Sequence, residues 1–183
     1  MKLLFQFFLL LSICILSACS NKSTNDTKES IIITPELIFD EALNEFDKKN
    51  YDLAVNKFEE IESKFPLSNQ AIQSQIMTAF VHYLKLDYIS AISILEKVIR
   101  RYPAYKNIDY VYYMKAVCYY EQIENPELDG KYNILALQYF TETINRFPNS
   151  EYARDSNQKI ILINENIAGK HMSIAMFYLN QKK

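Results

Sequence analysis

The side chains best suited to bond-making chemistry in this 183-residue chain are two histidines, His82 and His171, and three cysteines, Cys14, Cys19 and Cys118. Nucleophilic or acid–base catalysis would need such a group beside a second titratable partner, and a metal would need two or more ligands at fixed spacing. Neither pattern occurs. The histidines stand in separate segments, and there is no CxxC, HExxH or GxSxG run. A phosphate-cradling loop is scarcely feasible with two glycines in the whole chain. Carboxylate pairs such as Glu59-Glu60 read as solvated helix faces, so the expectation is a protein without catalytic residues, metal or cofactor. The conspicuous chemistry is of another kind: residues 107–120, "NIDYVYYMKAVCYY", hold five of the chain's 14 tyrosines, and there is no tryptophan. Phenols at helical spacing offer stacking faces and hydroxyl donors, which suits binding.

Global charge adds little. A formal net charge of −2 with 49% apolar residues describes one domain with a real core and no field that would draw nucleic acid. The Lys97, Arg100, Arg101, Lys106 cluster reads as cations complementing a helix C-terminus before Pro103.

The first 19 residues, "MKLLFQFFLLLSICILSAC", are a secretory signal: a cationic Lys2, an apolar run from Leu3 to Leu16, then small residues. The run is shorter than the ~20 apolar residues a membrane span needs. Leu16-Ser17-Ala18-Cys19 resembles the bacterial lipobox, which implies cleavage after residue 18 and acylation at Cys19. Ser20, rather than aspartate, favours the outer membrane in the sorting of that class. "SNKSTNDTKES" then reads as a flexible tether. The expected organisation is therefore a signal peptide over 1–18, a lipidated N-terminus and tether over 19–33, and a folded domain over 34–183. Cys118 would be the only internal cysteine of the mature chain, serving as a small hydrophobe.

The folded part repeats. "YDLAVNKFEEIESKFP", "YISAISILEKVIRRYP" and "NILALQYFTETINRFP" align on Pro66, Pro103 and Pro148, which are 37 and then 45 residues apart. Each has an alanine twelve residues before the proline (Ala54, Ala91, Ala136), a large apolar residue eight before (Phe58, Leu95, Phe140) and an aromatic just before. This is the second helix of a tetratricopeptide-type pair, in which alanine admits a close neighbour and proline ends the helix. Upstream first helices carry Ala42, Ala79 and Ala116, and Thr34-Pro35-Glu36 opens the first. The extra length of the third repeat is "ENPELDGK". After Pro148, Ser150 is expected to cap a helix that Gly169 interrupts, followed by a last helix lacking its partner. The fold class is thus all-α: a TPR-like helix-pair solenoid of about three full repeats plus an incomplete fourth. Ile174, Phe177, Tyr178 and Leu179 of the last helix would form an apolar stripe that marks a partner interface.

In such solenoids the first helices line the concave side. With the small residue as position 8, positions 2, 5, 9 and 12 face inward, which selects Phe39, Phe46, Ile76, Phe80, Tyr83, Tyr110, Tyr113 and Tyr120 among a mostly apolar set. These are the expected walls of a peptide-binding groove, while Tyr112 and Tyr119 fall elsewhere. The competing reading is that the rings simply pack against one another as core.

The lipobox, the tether, "TPELIFDEA", the three proline-ended helices, "NIDYVYYMKA" and "RFPNSEYARD" occur in this order in the BamD/ComL family of outer-membrane lipoproteins, which this chain resembles from Cys19 to about Lys182. The resemblance implies a component of the β-barrel assembly (Bam) machinery, lipid-anchored on the periplasmic face of the outer membrane. Its partners would be BamA, other Bam subunits and unfolded outer-membrane β-barrel proteins, whose C-terminal targeting segments the N-terminal repeats recognise. Family members have about five repeats and use the C-terminal ones for BamA; this sequence stops short of them. The alternative is a TPR lipoprotein of another envelope machine, such as a secretin pilotin or a cell-division coordinator.

Overall fold

The computed structural model describes residues 33–123 and 130–181. The signal, Cys19, nearly all of the tether and most of the "ENPELDGK" insertion lie outside the described residues. Seven helices follow one another: α1 (Pro35–Asp47), α2 (Tyr51–Lys64), α3 (Asn69–Leu84), α4 (Tyr88–Arg101), α5 (Ile108–Tyr120), α6 (Lys131–Arg146) and α7 (Glu151–Gln181). They form three antiparallel pairs, α1/α2, α3/α4 and α5/α6, followed by the unpaired α7.

Local sequence explains several of the boundaries. The Thr34 hydroxyl accepts the Leu37 N–H at 3.2 Å and Pro35 occupies the first turn of α1. Ser68 caps α3 in the same way through the Ala71 N–H, and the Ser150 hydroxyl takes the Tyr152 N–H of α7. At the other end, Phe65, Tyr102 and Phe147 share one terminating geometry, with φ near −132° and ψ near 55° (−133/54, −131/55, −133/56). Each precedes a proline, which disfavours helical backbone in the residue before it.

Close crossing needs small residues, and Ala42, Ala54, Ala91, Ala116 and Ala136 are completely buried, with Ala79 almost so. Phe58, Leu95 and Phe140 fill the space between layers; truncating either phenylalanine to alanine would cost ~3–5 kcal/mol. First helices approach one another across repeats, α1 on α3 and α5 on α7, whereas the second helices α2, α4 and α6 do not pack comparably. At the first and last of the three junctions the first helices are therefore the tighter, inner side of the stack.

One expectation is corrected. Gly169 does not interrupt a helix: α7 runs unbroken for 31 residues from Glu151 to Gln181. A helical glycine costs only about 1 kcal/mol relative to alanine, too little to break a helix whose flanks propagate well. The unpaired first helix of the fourth unit is thus α7 as a whole. Its residues 171–181 are exposed on every side.

Candidate functional site

The inner row is a belt of rings. On α1, Phe39 leans on Phe58 with ring centroids 5.6 Å apart, and Phe46 meets Phe80 of α3 at 6.0 Å. Phe80 stacks on Tyr83 at 6.0 Å and 14°, and Tyr83 meets Tyr88 of α4 at 5.8 Å. On α5, Tyr110 and Tyr113 both contact Tyr152 of α7, at 5.4 and 5.3 Å, while Tyr120 lies edge-on to Phe140 with Lys159 over its ring at 4.7 Å. The rings selected from the sequence therefore fall in separate groups along the first helices: Phe39 on Phe58, then Phe46, Phe80 and Tyr83, then Tyr110, Tyr113 and Tyr120. Most are half-buried, which is between the two readings: each ring touches neighbours and also keeps part of its surface open.

Openness is uneven along the row. Ile76 is 9% exposed and belongs to the core as much as to the wall. Tyr113 is held on three sides, by Phe140, by Tyr152 and by a short hydrogen bond from its hydroxyl to the Asp155 carboxylate. Between α1 and α3 the row opens into a cleft of about 310 Å³, lined by Phe39, Leu43, Ile76, Met77 and, at its polar end, Gln73, Tyr105 and Asn107. Met77, Tyr105 and Asn107 were not selected from the sequence. Tyr105 and Asn107 come from the α4–α5 loop, which a count along helices does not reach; Tyr152, Asp155 and Lys159 come from α7, beyond the three first helices to which the register was applied.

Burial pushes the Tyr110 phenol up to about 12, and burial together with the Asp155 contact raises Tyr113 further. Both hydroxyls are neutral at physiological pH, and that of Tyr113 donates to Asp155. Burial likewise pushes the Cys118 thiol up to about 12, so it is an inert apolar filler. His82 receives a plain local role: its ring lies 3.0 Å from Asp87, which also caps α4 through the Ser90 N–H.

Tyr112 and Tyr119 lie on the other face of α5. Tyr112 packs on Phe147 at 5.3 Å under the Arg146 guanidinium, and Tyr119 stacks on Tyr139 at 4.9 Å and 15°. Beside that stack the buried Lys115 reaches Glu96 at 3.1 Å and lies 3.9 Å from the Tyr139 ring centre. The dense tyrosines of α5 therefore serve two layers, three toward the inner row and two toward the second helices.

Ile174, Phe177, Tyr178 and Leu179 are 45%, 58%, 62% and 61% exposed on α7. They do not join the inner row. No described helix is long and apolar enough to cross a membrane, and the described residues contain no cluster suited to a metal.

Comparison with known proteins gives a consistent result. The family model described as "Outer membrane lipoprotein" (YfiO) matches residues 33–183. Among curated relatives, the outer membrane protein assembly factor BamD of Caulobacter vibrioides is 33% identical over 163 residues, covering 89% of this chain and 53% of that protein. BamD of Rickettsia prowazekii is 36% identical over 169 residues (92% and 66%). BamD of Neisseria gonorrhoeae is 32% identical over 178 residues (91% and 67%). The chain thus spans about half to two thirds of the length of these relatives.

Proposed function

Because the chain belongs to the YfiO family of outer membrane lipoproteins, we propose that it acts as an assembly factor for outer-membrane β-barrel proteins within the Bam complex. It is tethered through acylated Cys19 to the periplasmic face of the membrane. Its inner row of first helices receives the extended C-terminal targeting segment of an unfolded barrel protein. Partners on this reading are BamA and the other Bam subunits. The exposed stripe at Ile174, Phe177, Tyr178 and Leu179 is an interface with one of them or with the remaining repeats of a longer chain. The family match favours this over a pilotin or a cell-division coordinator.

The observation that carries the groove assignment is the half-open aromatic belt. Phe39 lines the apolar cleft with Leu43, Ile76 and Met77, while Phe46, Phe80 and Tyr83 keep accessible ring surface farther along the first helices, and the Tyr105 phenol in the cleft wall offers a donor for the carbonyls of an extended strand. Aromatic pairs add roughly 0.5–1.5 kcal/mol each beyond area burial, so two or three give micromolar affinity once ordering costs are subtracted. Weak binding suits a client that is handed on.

Tyr83→Ala combined with Leu43→Glu is expected to weaken a barrel-protein C-terminal peptide at least tenfold by fluorescence anisotropy, with the helical circular dichroism unchanged. Tyr113 is a poor probe, since its ring is packed on three sides. Tyr119→Ala, on the opposite face, should lower the melting temperature and leave affinity alone. If the peptide binds wild type no better than a scrambled control, the groove reading fails.

A further inference from the structure

A second and larger cleft, of about 690 Å³, lies at the edge of the stack where the first turn of α3 faces the α4–α5 loop. It adjoins the apolar cleft of the inner row, because Gln73 and Tyr105 line both. The character changes across that wall. On one side are Phe39, Leu43, Ile76 and Met77; on the other are Arg101 and Lys106, and no carboxylate lines the cleft.

The cations there are available. Lys106 is exposed, and no ion pair with it is found among the described residues. The Arg101 side chain is 54% exposed and only grazes Glu62 at 3.8 Å, while Glu62 is engaged at 2.6 Å by Lys97. Asn69, Gln70 and Gln73 contribute amide side chains, and Ile72, Tyr102, Pro103, Ala104 and Tyr105 complete the lining.

The same place one repeat further on is built differently. That cleft, of about 380 Å³, is again lined by Lys106, together with Arg146 and the Phe147–Ser150 turn. There Asp109 supplies a carboxylate, which accepts the Ser150 hydroxyl at 2.7 Å, and Arg146 is paired with Glu142 at 2.8 Å. Of these two edge clefts, only the one that adjoins the apolar cleft has cations and no lining carboxylate.

We propose that the paired clefts bind the free end of a polypeptide chain: the apolar last residue in the Phe39–Leu43–Ile76–Met77 cleft and its α-carboxylate against Arg101 and Lys106. A chain terminus carries an apolar side chain and a carboxylate on one residue, which matches two sites separated only by Gln73 and Tyr105. A side-chain carboxylate within a chain would bring its own backbone into the polar cleft and leave the apolar one empty. Gln73 and Tyr105 stand between them, with Asn107 on the apolar side, where the last peptide group would need partners. Arginine and lysine both bind carboxylates strongly, arginine with a forked geometry. The inference rests on the peptide-binding reading above and assigns that groove a direction, with the client's C-terminus at the α3–α5 edge and its preceding strand running along the belt.

The test uses the full chain in mild detergent and a fluorescent peptide of alternating valine and serine ending in phenylalanine, made once as the free acid and once as the amide. Wild type should bind the acid at least fivefold more tightly than the amide. In the Arg101→Gln/Lys106→Gln variant the two should bind alike, at the amide's affinity, whereas Arg100→Gln, an exposed cation outside the cleft, should keep the preference. Equal binding of acid and amide to wild type, or a preference that survives in the double variant, overturns the chain-end site while leaving the groove. Failure of both peptides to exceed a scrambled control overturns the groove and this site together.

Discussion

Several of the phenols and the one internal thiol of the described chain are placed where ionisation is costly, and this makes stability depend on alkaline pH with a definite sign. Burial first, and then neighbouring groups, raise Tyr110, Tyr119 and Cys118 each to about 12, from ordinary values of 10.0, 10.0 and 9.0. An unfolded chain releases these protons at the ordinary values while the folded one holds them. The unfolded state therefore binds fewer protons above about pH 9, and stability falls as pH rises from there toward 12. Urea midpoints followed by circular dichroism are expected to be level from pH 7 to 8.5 and to drop steeply between pH 9.5 and 11.5. The drop should be shallower in Tyr110→Phe/Cys118→Ala, and a level profile in wild type would contradict the burial of these groups. Lys115 makes a different residue-scale point. With its ammonium held by Glu96 and the face of Tyr139, it shows how one buried charge is satisfied by a carboxylate and a ring together.

At the scale of elements, the turns within the first two helix pairs use left-handed backbone without glycine. Lys49 has φ 64° and Leu86 has φ 61°, one repeat apart, just after α1 and α3. That conformation costs a side-chain-bearing residue roughly 1–2 kcal/mol, and glycine is the usual occupant after a helix. Leu86 is 71% exposed, so replacing it removes little packing. Leu86→Gly is expected to stabilise by about 0.5–1 kcal/mol, part of the relieved strain being offset by the greater freedom of glycine in the unfolded chain. A thermal melt should rise by roughly 1–4 °C for a domain of this size. A fall in melting temperature would mean that the Leu86 side chain contributes more than the strain costs. Among helices, α7 is the long one, and its continuity through Gly169 is consistent with a residue that meets no neighbouring atom within 4 Å and so marks no close crossing.

For the whole molecule the question is where the domain works. The signal and Cys19 lie outside the described residues; the chain belongs to a family of outer membrane lipoproteins, and on the function proposed above an acylated Cys19 is the link to the membrane. Each buried methylene contributes ~0.8 kcal/mol, so acyl chains together hold a domain on a bilayer durably. Cys19→Ser is expected to abolish palmitate labelling and to move the protein out of the outer-membrane fraction on a density gradient. Unchanged labelling and fractionation would remove the anchor from the account.

How much of this was legible beforehand follows from the range over which each feature is decided. The helix pairs could be read because their determinants are local. A proline has no N–H and restrains the residue before it, an alanine is required wherever two helices cross closely, and a hydroxyl just before a helix satisfies a free N–H; these signs recur at Ala54, Ala91 and Ala136 and at Pro66, Pro103 and Pro148. The same periodicity separated Tyr110, Tyr113 and Tyr120 from Tyr112 and Tyr119, since residues three and four apart share a helix face. Other features depend on how one pair is rotated and shifted against the next. That rotation brings Tyr113 to Asp155, Gln73 to Tyr105 and Ser150 to Asp109, residues tens of positions apart whose meeting leaves no mark on either segment alone. The left-handed turns at Lys49 and Leu86 escaped notice because glycine, their usual sign, is absent there. The sequence by itself thus determined the three helix pairs and which residues share a helix face, though not the unbroken course of α7 through Gly169. Only the tertiary structure decided which parts of that face are walled in and which stay open, because enclosure depends on side chains contributed by neighbouring repeats.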